Sequence, residues 1–171
     1  VFSSDHAPFC YDDVEGKRPH GAEQPFAYIP NGIPGIETRL PLLFSEGVGS
    51  GRITLNQFVA LTATNPAKAY GLYPRKGTIA IGADADIAVW DAGRDVTIAN
   101  ARLHHAVDYT PYEGMRIRGW PALTLSRGEV VWDGEQPAGL PGRGQFLKCG
   151  LPDMAMPKAP AYGTQNAPLP G

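Results

Sequence analysis

The 171-residue sequence predicts an α/β protein whose helical and β portions follow one another along the chain. Three observations carry this. A short apolar entry, Val1-Phe2, runs into Ser3-Ser4-Asp5 and reads as a strand ending in a carboxylate. Helix signals are concentrated between residues 38 and 70. From residue 77 the apolar pattern changes to period-two alternation, the signature of half-buried strands.

Bulk properties narrow the function. The net charge of −2 gives no electrostatic case for nucleic acid or an anionic membrane. No apolar run is long enough to span a bilayer. Cys10 and Cys149 lie far apart and outside any C-x-x-C pair, so both are expected to be reduced thiols. With 21 glycines and 17 prolines, many turns and loops are expected rather than a helical bundle. A strand at residue 1 without an initiator Met leads to the expectation that the chain begins inside something larger.

The elements follow in order. Asp5 would stand at the C-terminal mouth of the first strand, where barrel enzymes place chemistry, and is the first candidate for a metal ligand or general base. Its alternative is a helix-capping or loop carboxylate. Residues 10 to 37 form a long loop, polar and then rich in Pro and Gly. Leu40, Leu43, Phe44 and Val48 share one face of a helix with Glu37 at its positive end and Pro41 in its first turn. The glycines of Gly47-Val48-Gly49-Ser50-Gly51 stop that helix; they lack the preceding strand and the lysine of a phosphate loop. Thr54-Leu55-Asn56-Gln57 is a capping box opening a second helix with an apolar stripe of Leu55, Phe58 and Val59. Asn65-Pro66 opens a third, which ends at Gly71.

Residues 71 to 77 are the expected joint. Beyond it, Ile79 and Ile81, then Ile87 and Val89, then Val96 and Ile98 predict three short strands. Leu123, Leu125, Val130 and Trp132 predict a hairpin about Arg127-Gly128. Residues 103 to 118 are expected as a loop, and 151 to 171, with five prolines, as an extended or disordered tail.

Several stretches together resemble the dihydropyrimidinase and hydantoinase family of cyclic amidohydrolases: SSDHAPF at 3–9, IPNGIPGIETRLPLLFSEGV at 29–48, GRITLNQFVALTATNPAKAYGLYPRKGTIAIGADADIAVWD at 51–91, HHAVDYTPYEGM at 104–115 and LSRGEVVWDGE at 125–135. The resemblance covers residues 1 to 148. It implies the C-terminal portion of a metal-dependent (β/α)8 amidohydrolase barrel plus the C-terminal share of a small β-sandwich. Residues 1–70 would be the last barrel strand and closing helices, 71–148 the sandwich part, and 149–171 a Pro-rich tail.

The implied activity is hydrolysis of 5,6-dihydropyrimidines or 5-substituted hydantoins to N-carbamoyl amino acids. Two divalent metals, usually zinc, would be held by four histidines, a carboxylated lysine and one aspartate. Asp5 is similar to that aspartate and would both bind metal and move the proton from water to the departing nitrogen. The resemblance implies that the backbone of Asn31, rather than its side chain, holds the cyclic imide or ureide. Gly32 beside it would let ligand and backbone approach; a simple helix-leading turn is the other reading.

His6 is expected in a supporting hydrogen bond and His20 in solvent. His104 and His105, adjacent and so facing opposite ways on a strand, are expected as structural or surface residues. No H-x-H occurs in the chain, so the other metal ligands would lie upstream, and the 171 residues alone are expected to be inactive. A cytoplasmic homotetramer is implied. A non-catalytic scaffold of the dihydropyrimidinase-related type is the competing function, with Asp5 counting against it. Allantoinase and dihydroorotase are the runners-up among enzymes.

Overall fold

The computed structural model describes residues 1–12 and 15–152, so most of the expected Pro-rich tail lies outside the described residues. Helices come first and a three-stranded antiparallel sheet second, in the order expected. The first helix, α1 (Arg39–Leu43), widens into π geometry over Phe44–Gly49 and stops at Ser50 and Gly51, as the glycine-rich sequence predicts. The capping box is formed: the Gln57 N–H donates to Thr54 Oγ1 at 3.2 Å, and the Thr54 N–H donates to Gln57 Oε1 at 2.8 Å. It opens α2 (Leu55–Val59). Of the expected stripe, Phe58 is buried, while Leu55 and Val59 stay exposed.

The third helix does not start afresh at Asn65-Pro66. Helical backbone runs on through a π-wound stretch, Ala60–Thr64, into α3 (Asn65–Ala69). Thr64, before α3, is already helical and makes no side-chain cap. Pro66 lacks an N–H, and the wider turn accommodates that loss: the Asn65 N–H reaches back five residues to Ala60 O. That shift leaves Leu61 O to accept the N–H of Phe2 at 3.2 Å. Arg39 Nη1 donates to Phe2 O at 3.2 Å. Both peptide groups of Phe2 are thus held by the helical region. Residues 1 to 5 pair with no strand among the described residues; one parallel bridge follows, His6 with Ile33.

The sheet is β1 (Ile87–Thr97), β2 (Arg116–Ser126) and β3 (Glu129–Trp132), with β2 central. Two expected strands, at Ile87 and at Val96, merge into the single β1, bent by a register shift between Asp91 and Asp95. The expected strand at Ile79 and Ile81 does not form, and both side chains are fully exposed. β2 begins inside the expected 103–118 loop. Pro121, which cannot donate to a ladder, sits at a second register shift opposite Trp90. The β2–β3 hairpin turns at Arg127-Gly128, both with positive φ, as expected.

Helices and sheet meet through an aromatic cluster. The Phe44 and Trp90 rings stack at 4.7 Å and 11°, and Phe58 stands edge-on to both, at 5.6 Å and 5.5 Å. Gly119 makes this possible: a Cβ there would lie 2.3 Å from Phe44 Cδ1. A second tie joins the long loop to residues 103–115. The Asp108 carboxylate accepts the N–H groups of Tyr11 at 2.6 Å and Asp12 at 3.2 Å. The Tyr11 N–H holds the Asp108 carboxyl below its ordinary value of 3.8; burial opposes it, and the Asp12 N–H adds to the lowering.

Two outcomes are expected. Gly119→Ala should lower unfolding stability by about 2 kcal/mol or more and weaken the near-UV circular dichroism of Trp90, since Phe44 must move; an unchanged denaturation midpoint would contradict the packing. Because folding depresses the Asp108 pKa, its stabilisation is present above the ordinary carboxylate range and is lost as pH falls through the folded value. Amide exchange at Tyr11 and Asp12 should therefore stay slow at neutral pH, accelerate under strong acid, and be fast at neutral pH in Asp108→Ala.

Candidate functional site

Asp5 follows directly on the segment held at Phe2. It is exposed, and its φ of 46° places it in the left-handed region. Aspartate tolerates that region better than most residues, at a cost of about 1 kcal/mol. Its N–H donates to Ser3 Oγ at 3.4 Å, while its carboxylate has no hydrogen-bond or ion-pair partner among the described residues. A non-glycine residue strained into this conformation with an unpaired carboxylate is suited to a function outside the fold's own bonding.

The next two residues fasten Asp5 to the Pro/Gly-rich loop. The Ala7 N–H donates to Ile33 O at 3.4 Å. His6 Nδ1 accepts the N–H of Gly35 at 3.0 Å and of Ile36 at 3.3 Å. Accepting these bonds requires a bare Nδ1, so the neutral ring carries its proton on Nε2. His6 therefore supports the loop backbone. Gly32, at φ 98°, packs so closely that a Cβ there would lie 2.5 Å from Ala7 Cβ and 2.7 Å from Ala7 O. The approach that its missing Cβ permits is thus to the chain's own backbone at Ala7.

The bridge brings Asp5 and Asn31 onto neighbouring backbone, one residue before His6 and two before Ile33. Asn31 is exposed, and among the described residues neither its N–H nor its C=O has a protein partner. Adjacent free donor and acceptor groups suit a ligand bearing N–H and C=O side by side, as imides and ureides do. The Lys17 ammonium donates to Pro30 O and to Gly32 O, the carbonyls on either side of Asn31. No motif or spacing in the sequence marks Lys17.

A cleft of about 480 Å³ opens behind this segment, lined by Phe2, Ser4, Ile33, Arg39, Leu43 and Met115 among others. Neither Asp5 nor Asn31 lines it, and its walls are largely apolar. Arg39 Nε is buried there without a partner. The remaining histidines are engaged elsewhere. His104 donates its backbone N–H to Glu37 Oε2 at 2.7 Å and pairs its Nδ1 with Glu37 Oε1 at 2.9 Å, while His105 Nε2 contacts Asn100 Oδ1 at 2.6 Å. His20 is exposed, with its ring edge-on to Tyr28. Among the described residues no three His, Cys, Asp or Glu side chains converge as a metal cluster would require.

Residues 1–131 match the model of the amidohydrolase family. A D-hydantoinase of Rhizobium radiobacter is 46% identical over 146 residues, 85% of this chain and 31% of that protein. The crystal structure of a D-hydantoinase from Bacillus sp. AR9 superposes with a TM-score of 0.77 at 46% identity, covering 84% of this chain and 30% of that one. A dihydropyrimidinase from Brevibacillus agri NCHU1002 superposes with a TM-score of 0.73 at 47% identity, covering 79% of this chain and 28% of that one. The chain thus spans under a third of the length of the relatives it matches. Matched over residues 1–131 and superposing on a D-hydantoinase over 84% of its length, the chain belongs to the amidohydrolase family.

Proposed function

We propose that this chain forms part of a metal-dependent hydrolase that opens cyclic amides, the 5,6-dihydropyrimidines or 5-substituted hydantoins, to N-carbamoyl amino acids. One observation carries the reading: Asp5, with an unpaired carboxylate, precedes a residue bridged to the segment in which the Asn31 backbone N–H and C=O are free among the described residues. The names of the hydantoinase and dihydropyrimidinase relatives support the substrate class. In this reading residues 1–70 are the last strand and closing helices of a (β/α)8 barrel, and residues 71–148 belong to a β-sandwich.

The Asn31 backbone would take the ureide of the substrate, donating its N–H to a ring carbonyl and accepting a ring N–H. Water adds to the neighbouring ring carbonyl carbon and the C–N bond breaks. Asp5 accepts the proton of that water and returns it to the departing nitrogen, which leaves as part of the carbamoyl group. An exposed carboxylate strained into the left-handed region is free for this transfer. A scaffold protein has no use for such a carboxylate at this position, which disfavours the non-catalytic reading.

The divalent metals, two zinc ions on the family resemblance, are not accommodated by these residues alone. Asp5 can give one oxygen ligand, and no described cluster completes a site. On the family resemblance the remaining donors would lie upstream of these residues. A cytoplasmic homotetramer fits the same reading, and among the described residues no helix is long and apolar enough to cross a membrane.

In the protein carrying this segment together with a full ligand set, dihydrouracil and hydantoin opening should require metal: a chelator should abolish it and zinc restore it. Asp5→Asn should lower kcat by about 100-fold or more and reduce bound zinc. Full activity in Asp5→Asn would contradict the proposal, as would robust ring opening by the 171-residue chain alone with added zinc.

A further inference from the structure

We propose that Lys17 is a positioning residue for the substrate, aiming and polarising the Asn31 N–H through the peptide that carries it. The inference rests on the functional reading above and adds a residue to it.

The Lys17 ammonium donates to the carbonyls of Pro30 and Gly32, so its two acceptors bracket Asn31. Pro30 O and the Asn31 N–H belong to one peptide group. That group is planar and trans, so holding the oxygen on one side points the N–H to the other. The ammonium therefore fixes the direction of a donor it never touches. It also draws electron density toward Pro30 O, which makes the N–H of the same peptide a stronger donor. Both effects act on the atom assigned to the ring carbonyl.

The lysine is placed for this task. Its own N–H donates to Cys10 O at 2.8 Å, and its carbonyl accepts Gln24 Nε2 at 2.6 Å, so its backbone is pinned on both sides. Its ammonium lies 5.3 Å from the Phe9 ring centroid, four residues beyond Asp5. One cation thus touches the segment leading from the proton-transferring carboxylate and the loop that takes the substrate. Lys17 forms no ion pair among the described residues. Its ammonium donates to two peptide carbonyls, an arrangement that orders backbone. Asp108 holds the opposite end of this loop start, at Tyr11 and Asp12, so the lysine projects from a segment tied at several points.

The test compares Lys17→Met and Lys17→Arg with the wild type in the metal-loaded protein carrying the full ligand set. It follows dihydrouracil and hydantoin opening, bound zinc, and amide exchange of residues 29–36. Lys17→Met should raise KM about tenfold or more while kcat changes little, because the lost interaction acts in ground and transition states alike. Zinc content should be unchanged, and exchange at Gly35 and Ile36 should accelerate. Lys17→Arg, which keeps a cation able to reach both carbonyls, should recover a large part of the KM. An active wild type with KM unaltered in Lys17→Met would overturn the assignment of Lys17 alone. So would a loss confined to kcat and accompanied by loss of zinc, which would put the lysine on the metal side. A wild type that opens neither ring would overturn the functional reading and this assignment with it.

Discussion

Two short backbone segments, residues 5–7 and 32–36, lie against each other, and the candidate site exists only because they do. Contact is possible because Gly32 has no side chain where Ala7 sits. It is made directional by Ala7 donating to Ile33 O and by the His6 ring accepting two backbone N–H groups from Gly35 and Ile36. A larger residue at position 32 would separate the segments, and a proton on His6 Nδ1 would replace an acceptor with a donor facing donors. Asp5 and Asn31 take their relation from this junction rather than from any contact of their own.

The rest of the fold serves the junction from both sides. The π-wound stretch before Pro66 leaves Leu61 O for the Phe2 N–H, and Arg39 takes the Phe2 carbonyl. The irregularity in the helix is thereby connected to the position of Asp5. On the other side, Glu37 reaches His104 and Asp108 reaches Tyr11 and Asp12, so the loops on either side of the site are tied to residues that precede the central strand. The stacked Phe44 and Trp90 rings give these polar ties an apolar base, where aromatic pairs contribute about 1 kcal/mol each beyond their buried area.

Much of this is legible in the residues, and the illegible parts have physical causes. The capping box at Thr54, the glycine stop after Val48 and the Arg127-Gly128 hairpin are local features, decided within four or five residues, and they form as the sequence suggests. The join of α2 to α3 is misread because Asn65-Pro66 resembles a helix start, whereas a widened turn can carry a proline through. The Ile79–Ile81 alternation fails because a strand needs a ladder partner, and periodicity says nothing about whether one is present. Pro121 hides the first half of β2, since a register shift that tolerates it has no local signature. Asp5 and Asn31 stand out in sequence by their surroundings. Lys17 and Asp108 do not, because their partners are backbone groups 13 to 97 residues away.

A crystal structure of the zinc-loaded protein containing this segment, with a 5-substituted hydantoin bound, tests the central claim most directly. The account predicts the ring's N–H and carbonyl hydrogen-bonded to the Asn31 C=O and N–H, with the Asp5 carboxylate at the metal and facing the scissile C–N bond. A ring bound away from Asn31, or Asp5 turned from the metal, would contradict it.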